Sequence, residues 1–135
     1  MRRIMSEITV LIVEDRMHMR KIIRSILNGM GIRLVQEAHD GRDALGKLKH
    51  HAGDYKRYDL VICDWMMPSM TGVELLEVVR KDPSMRELPF LMLTAESDAD
   101  NVARAIKAGV SDYVLKPFTA KTLEHKVLSI LEPSH

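Results

Sequence analysis

Chemically active side chains come directly after four short apolar runs of the sequence. Glu14 and Asp15 follow the first of these runs, and Asp64 follows another. Thr94 and Lys116 follow two later runs. If these runs are neighbouring parallel strands, their carboxyl ends meet at one edge of a sheet, where open α/β sheets bind ligands. Three carboxylates, one hydroxyl and one ammonium group would then share a pocket.

The carboxylates of such a pocket need positive charge. Two carboxylates about 4 Å apart repel each other by roughly 4 kcal/mol at an effective dielectric constant near 20. Lys116 supplies a single charge, so a divalent cation is the natural further partner, and an all-oxygen ligand set suits Mg²⁺. In-line phosphoryl transfer uses a metal ion, an ammonium group and a nucleophilic side-chain oxygen. Asp64 is therefore the candidate nucleophile, although each charge taken singly could simply end a strand at the surface.

Five apolar runs alternate with five segments of helical periodicity. The runs predict strands over Thr9–Val13, Leu34–Ala38, Leu60–Cys63, Phe90–Leu93 and Tyr113–Leu115. The predicted strands begin roughly 23 to 30 residues apart, which is the length of one strand, one helix and two short loops. Continuous apolar strands are typical of a parallel sheet that helices cover on both faces. We therefore expect a doubly wound five-stranded parallel α/β sheet with five helices.

Turn and capping residues mark the ends of the predicted helices. Gly29 and Gly31 end the first helix, Asp40 and Gly41 open the second, Ser97 and Asp100 cap the fourth, and Gly109 ends it. The polar stretch from His50 to Arg57 predicts a loop before the third strand.

Composition limits the class of protein. The chain has 135 residues, 46% hydrophobic and 29% charged, which is typical of one globular domain. Its formal net charge of +1 argues against a general attraction to nucleic acid or membrane. Neither a secretory signal nor a membrane span is recognisable, and the single cysteine, Cys63, cannot form an internal disulfide. We expect a cytoplasmic monomer with an extension over residues 1–7, one domain over 8–131, a tail over 132–135 and no output domain.

A basic stretch lies in the first predicted helix, at Arg16, Arg20, Lys21 and Arg24. With one Trp, two Phe and three Tyr in the chain, few rings are available for base stacking. We therefore interpret the stretch as a solvated face or a partner-docking surface.

Four motifs of the sequence resemble those of a known family, the response-regulator receiver domain of two-component signalling. The motifs are Val13-Glu14-Asp15, Asp64-Trp65-Met66-Met67-Pro68 with Gly72, Thr94-Ala95-Glu96, and Tyr113 to Phe118. Within the family the chain is most similar to single-domain chemotaxis (CheY-like) receivers, through Met19-Arg20, Leu88-Pro89 and Lys116-Pro117-Phe118-Thr119. The resemblance, and not the sequence pattern, implies the flavodoxin-like strand order 2-1-3-4-5, which chemotaxis receivers share.

The resemblance also implies a chemical role for each matched residue. Asp64 would accept a phosphoryl group from a histidine kinase or phosphotransfer protein. Asp15 would bind Mg²⁺ directly, Glu14 directly or through water, and Met66 through its backbone carbonyl.

Further roles concern the phosphoryl group and the response to it. Thr94, the Ala95 amide and Lys116 would contact the phosphoryl oxygens. Thr94 and Tyr113 would form a switch that changes an output face on helix 4, strand 5 and helix 5. The Lys116-Pro117 bond would be cis, which only X-Pro bonds adopt readily.

Some positions differ from the family pattern and leave alternatives open. Glu14 stands where Asp is more usual, Met66 occupies a variable position, and Asp98 and Ala99 stand where chemotaxis receivers tend to carry lysines. The flagellar motor is therefore not assigned as partner, and a phosphate shuttle, a phosphate sink or a phosphorylation-independent binding module are alternatives. An aspartyl-nucleophile phosphohydrolase would need an acid at the position of Met66.

Overall fold

The strands form one parallel sheet whose order differs from their order in the chain. A computed structural model describes residues 4–52, 58–95 and 99–132, with the backbone alone at 50–52. The strands are β1 (Thr9–Val13), β2 (Leu34–Ala38), β3 (Leu60–Asp64), β4 (Phe90–Ala95) and β5 (Asp112–Lys116). Their order is β2-β1-β3-β4-β5 and every pairing is parallel. This confirms the flavodoxin-like order that the resemblance implied.

Each strand leads into a helix. The helices are α1 (Met17–Gly29), α2 (Gly41–Ala52), α3 (Gly72–Lys81), α4 (Ala99–Ala108) and α5 (Ala120–Leu131), and a 3₁₀ turn over Met5–Glu7 precedes β1. Within residues 4–52, 58–95 and 99–132, no helix is long and apolar enough to cross a membrane.

The sheet separates two hydrophobic clusters. Leu11 and Val13 of β1 belong to the cluster beneath α2, α3 and α4, whereas Val10 and Ile12 belong to the cluster beneath α1 and α5. Successive side chains of a strand point to opposite faces, so a strand that is covered on both faces must be apolar throughout. This arrangement confirms the doubly wound architecture.

Burial is complete only in the middle of the sheet. All five residues of β3 are buried, whereas Leu34 of β2 is 49% exposed and Leu115 of β5 is 38% exposed. Exposure at β2 and β5 follows from their position at the edges of the sheet, where each has a neighbour on one side only.

Local signals set several of the helix ends. Gly31 and Gly109 have positive φ angles of 91° and 95° after α1 and α4, as their predicted roles require. Asp40 caps α2 by accepting a hydrogen bond from the Asp43 amide at 2.8 Å.

Of two predictions near helix ends, one is wrong in its starting residue and the other lies outside the described residues. The predicted loop from His50 begins too early, because α2 continues to Ala52, and residues 53–57 lie outside the described residues. Ser97, the predicted cap of α4, and the neighbouring Asp98 also lie outside them.

Candidate functional site

The carboxyl ends of four strands bring the predicted site residues to one edge of the sheet. Glu14 directly follows β1 and Asp64 ends β3, and these strands are neighbours in register. Thr94 lies near the end of β4, where it is the register partner of Leu115 in β5. Lys116 is the last residue of β5. Residues far apart in the sequence therefore meet because the strands are parallel.

Glu14, Asp15 and Asp64 form an acidic cluster. One carboxylate oxygen of each lies within 4.8 Å of the others. Glu14 is fully buried and Asp64 is 3% exposed, whereas Asp15 is open to solvent. A hydrogen-bonding contact with Glu14 raises the pKa of Asp15, and partial burial and the Glu14 charge raise it further. Hard divalent cations prefer such oxygen donors, so these three residues fit a Mg²⁺ site.

Lys116 gives the acidic cluster one of its positive charges. Its Nζ atom donates a hydrogen bond to Oδ1 of Asp64. The Asp64 side chain is almost fully buried, and the Lys116 side chain is 24% exposed. A buried carboxylate needs such a partner, because water no longer solvates it.

Arg16 supplies a second positive charge, which the sequence interpretation missed. Its Nη2 atom lies 3.2 Å from Oε1 of Glu14, and its backbone N–H donates to Oε2 at 2.8 Å. The same Nη2 atom lies 3.9 Å from Oδ2 of Asp64. The signal was available, because an arginine directly follows the acidic pair in the sequence.

The other two arginines of the basic stretch also have partners, so the interpretation as a solvated face is wrong for Arg20 and Arg24, whereas Arg16 and Lys21 are exposed. Arg20 and Arg24 bind opposite oxygens of Glu37 in β2, at 2.8 and 2.6 Å. Arg20 also donates to the backbone carbonyl of Glu14 at 2.8 Å. Burial alone would raise the pKa of Glu37, but the hydrogen bonds from the two arginines outweigh burial and lower it. The stretch joins α1 to β2 and supports the backbone beside the acidic cluster.

Thr94 carries a buried hydroxyl that has no partner in the part of the chain that the structure describes. The residue is 2% exposed, and its Oγ1 atom has no hydrogen bond within residues 4–52, 58–95 and 99–132. A buried hydroxyl without a partner is costly, so it marks a place where a ligand oxygen or a water is expected. Ala95, the next residue, ends β4 and is exposed.

Tyr113 lies in β5, three residues before Lys116, and packs partly buried against the cluster beneath α2, α3 and α4. The Nζ atom of Lys126 lies 5.6 Å from the centre of its ring and also pairs with Asp112 at 3.1 Å. This places Tyr113 on the same strand as Lys116, next to α5.

The segment after Asp64 is held close to the end of β3. The Gly72 amide donates to the Trp65 carbonyl at 2.8 Å, and a Cβ atom at Gly72 would lie 2.4 Å from the Asp64 carbonyl oxygen. Met66 has a 68% exposed side chain. The Lys116-Pro117 bond is cis, as the resemblance implied.

Cys63 has no sign of reactivity. Its side chain is fully buried, and burial raises the pKa of its thiol well above the ordinary value. This agrees with a role in packing, because a thiol is nucleophilic only as the thiolate.

Comparisons with known proteins agree with this geometry. Residues 10–128 match the response regulator receiver domain family. The chain is 45% identical over 123 residues to chemotaxis protein CheY of Pseudomonas aeruginosa, covering 91% of this chain and 95% of that protein. It is 44% identical to chemotaxis protein CheY-3 of Vibrio cholerae, covering 91% of each.

Solved structures give the same result. Chemotaxis protein CheY4 of Vibrio cholerae superposes with a TM-score of 0.80 at 32% identity, covering 91% of this chain and 98% of that one. The receiver domain of a sensor histidine kinase from Pseudomonas aeruginosa, solved with a magnesium ion coordinated in its active site cleft, superposes with a TM-score of 0.78. The identity is 26%, and the match covers 91% of this chain and 96% of that one. The chain belongs to the response regulator receiver domain family of two-component signalling and is CheY-like.

Proposed function

We propose that Asp64 is the phosphoacceptor of this receiver domain and that a histidine kinase or phosphotransfer protein supplies the phosphoryl group. The single observation that carries the proposal is the buried Asp64 carboxylate, hydrogen-bonded by Lys116 beside two further carboxylates. An Asp64 oxygen attacks phosphorus, a P–O bond forms, and the P–N bond to the donor histidine breaks. The electron pair of that bond leaves with the imidazole nitrogen.

Mg²⁺, when bound, neutralises charge on the transferring group. We assign its protein ligands to Glu14, Asp15, Asp64 and the Met66 carbonyl. The acidic cluster supports the three carboxylates of this set through its spacing and its oxygen donors.

Lys116, Thr94 and the Ala95 amide receive the phosphoryl oxygens in this proposal. Lys116 already contacts Asp64 and would pair with the new negative charge. The hydroxyl of Thr94 is buried and unpaired among the described residues, so it is free to donate to a phosphoryl oxygen.

Movement of the Thr94 hydroxyl toward the phosphoryl group would shift the conformational equilibrium of the region around Tyr113. Moving a two-state equilibrium from 1:99 to 99:1 takes roughly 5.5 kcal/mol of differential interaction, which a few charge-assisted hydrogen bonds to a dianion supply. We assign the output surface to α4, β5 and α5, where Tyr113, Arg104, Ile106, Lys107 and Lys121 lie. Ile106 is 59% exposed there, so an apolar anchor is available to a protein partner. We propose that the protein acts as a cytoplasmic monomer that binds neither nucleic acid nor membrane.

The test is the intact mass after incubation with a small-molecule phosphoryl donor and Mg²⁺. We expect one added phosphoryl group, lost in Asp64→Asn and in the presence of a chelator. Asp100→Asn is the matched control, because Asp100 is an exposed carboxylate on α4, and it should be modified like the wild type. Modification that persists in Asp64→Asn would contradict the assignment. Continuous turnover of a phosphatase substrate would instead favour a phosphohydrolase.

A further inference from the structure

Arg16 holds both oxygens of the buried Glu14 carboxylate. Nη2 donates to Oε1 at 3.2 Å, while Nε and the backbone N–H donate to Oε2 at 3.3 and 2.8 Å. Glu14 is fully buried, so solvent cannot replace these hydrogen bonds. The Glu14 carboxylate is thus satisfied by the chain itself.

The same guanidinium extends across the acidic cluster. Its Nη2 atom lies 3.9 Å from Oδ2 of Asp64, while Lys116 binds Oδ1 of that residue. Each oxygen of the Asp64 carboxylate therefore faces a different cationic side chain. An arginine side chain is protonated at all ordinary pH values, so the guanidinium places a full positive charge beside these carboxylates.

A divalent cation needs the oxygens that Arg16 holds. A carboxylate oxygen that ligates a metal directs a lone pair at the ion, and a guanidinium beside it would also repel the ion. Arg16 and a metal ion can therefore share the cluster only if the guanidinium withdraws from Glu14.

The Arg16 side chain can move away from Glu14 without breaking a contact that holds α1. It precedes the first turn of α1 and its side chain makes no capping hydrogen bond to that helix. Its side chain is 54% exposed, so solvent can receive it.

We propose that Arg16 is a built-in counter-ion that competes with a divalent cation for Glu14 and so lowers the affinity of this receiver for Mg²⁺. This inference rests on the proposed function, because it assumes that Mg²⁺ binds at the acidic cluster. Exposed ion pairs contribute little free energy and more buried pairs contribute more, and the pair of Arg16 with Glu14 lies between these cases. Removal of the guanidinium should therefore tighten Mg²⁺ binding about three- to tenfold.

The experiment is a Mg²⁺ titration of the full chain, which needs neither a kinase nor a phosphoryl donor. Trp65 is the single tryptophan and directly follows Asp64, so its fluorescence reports on the cluster, and calorimetry repeats the measurement without the fluorophore. The variants are Arg16→Gln, which removes the charge, and Arg16→Lys, which keeps the charge but loses the forked donors. Arg33→Gln is the matched control, because Arg33 is exposed and directly precedes β2, at the opposite end of the sheet.

The inference predicts tighter binding in Arg16→Gln, an intermediate affinity in Arg16→Lys and wild-type affinity in Arg33→Gln. Unchanged affinity in Arg16→Gln, or an equal gain in Arg33→Gln, would overturn it while leaving the proposed function intact. Asp64→Asn tests the site itself and should weaken binding. If Mg²⁺ binds neither the wild type nor Arg16→Gln, the proposed metal site fails and the inference fails with it.

Discussion

Lys116 donates a hydrogen bond to Asp64 although the two residues are 52 positions apart and β4 lies between their strands. The contact exists because both strands are parallel and both residues stand at the carboxyl end. The long, flexible side chain of Lys116 at the end of β5 thus reaches Asp64 at the end of β3, two strands away. The sheet order is what converts two separate sequence motifs into one site.

Replacement of Lys116 by methionine should destabilise the protein, because Asp64 would lose a hydrogen-bonded counter-charge while remaining buried. We expect a loss of about 1–3 kcal/mol in the free energy of unfolding, measured with urea and Trp65 fluorescence. Lys121→Met, at an exposed site, should change the free energy by less than about 0.5 kcal/mol. In Asp64→Asn the effect of Lys116→Met should shrink, and equal effects in both backgrounds would contradict the coupling.

Replacement of Gly72 by alanine should destabilise the contact between the start of α3 and the end of β3, where Asp64 lies. The new Cβ would lie 2.4 Å from the Asp64 carbonyl oxygen and 2.8 Å from the Met92 sulfur, so backbone has to move. Overpacking of this kind typically costs about 1–3 kcal/mol, which urea denaturation measures. Gly46→Ala, inside α2 with nothing within 4 Å of the new Cβ, should instead stabilise the protein by up to about 1 kcal/mol. The same sign for both variants would refute the steric argument.

Glu37 should make stability depend on pH in the acid range. Its pKa is lowered from the ordinary value of 4.5 in the folded protein by Arg24 and Arg20, so the ionised form favours folding. The contribution of ionised Glu37 to the free energy of unfolding is complete above pH 4.5. It is lost as the pH falls through the lower pKa that Glu37 has in the folded protein. Glu37→Gln should therefore cost more stability at neutral pH than well below 4.5, as urea titrations at the two pH values would show. Glu87→Gln, at an exposed site, serves as the control, and a constant difference for Glu37→Gln would contradict the linkage.

The sequence pattern was sufficient for the strands and helices and for the residues of the acidic cluster. Apolar runs marked the strands, and polar residues at their ends marked the site, since both signals are local. Asp64 is the last residue of β3 and Thr94 the last but one of β4, so both belong to strands and not to loops. The strand order came from the resemblance, because no local pattern states which strands are neighbours.

The partners of the arginines could not be predicted in the same way. Arg16, Arg20 and Arg24 are spaced by four residues, which resembles an ordinary solvated helix face. Their partners lie after β1 and in β2, so the interpretation needed the three-dimensional placement of Glu14 and Glu37. Long side chains reach several possible partners, and the sequence does not rank them.

Removal of the Thr94 hydroxyl should stabilise the unmodified protein, because that hydroxyl is buried without a partner among the described residues. Thr94→Val keeps the branched shape, and an unsatisfied buried polar group costs about 1–3 kcal/mol, so a gain near 1 kcal/mol is expected in urea denaturation. Thr119→Val is the matched comparison. That threonine caps α5 by accepting from the Thr122 amide at 3.1 Å, so its loss should cost about 1 kcal/mol. Opposite signs for the two substitutions would show that Thr94 is kept for a ligand and not for the fold, whereas a loss at Thr94 like that at Thr119 would show that a water already satisfies it.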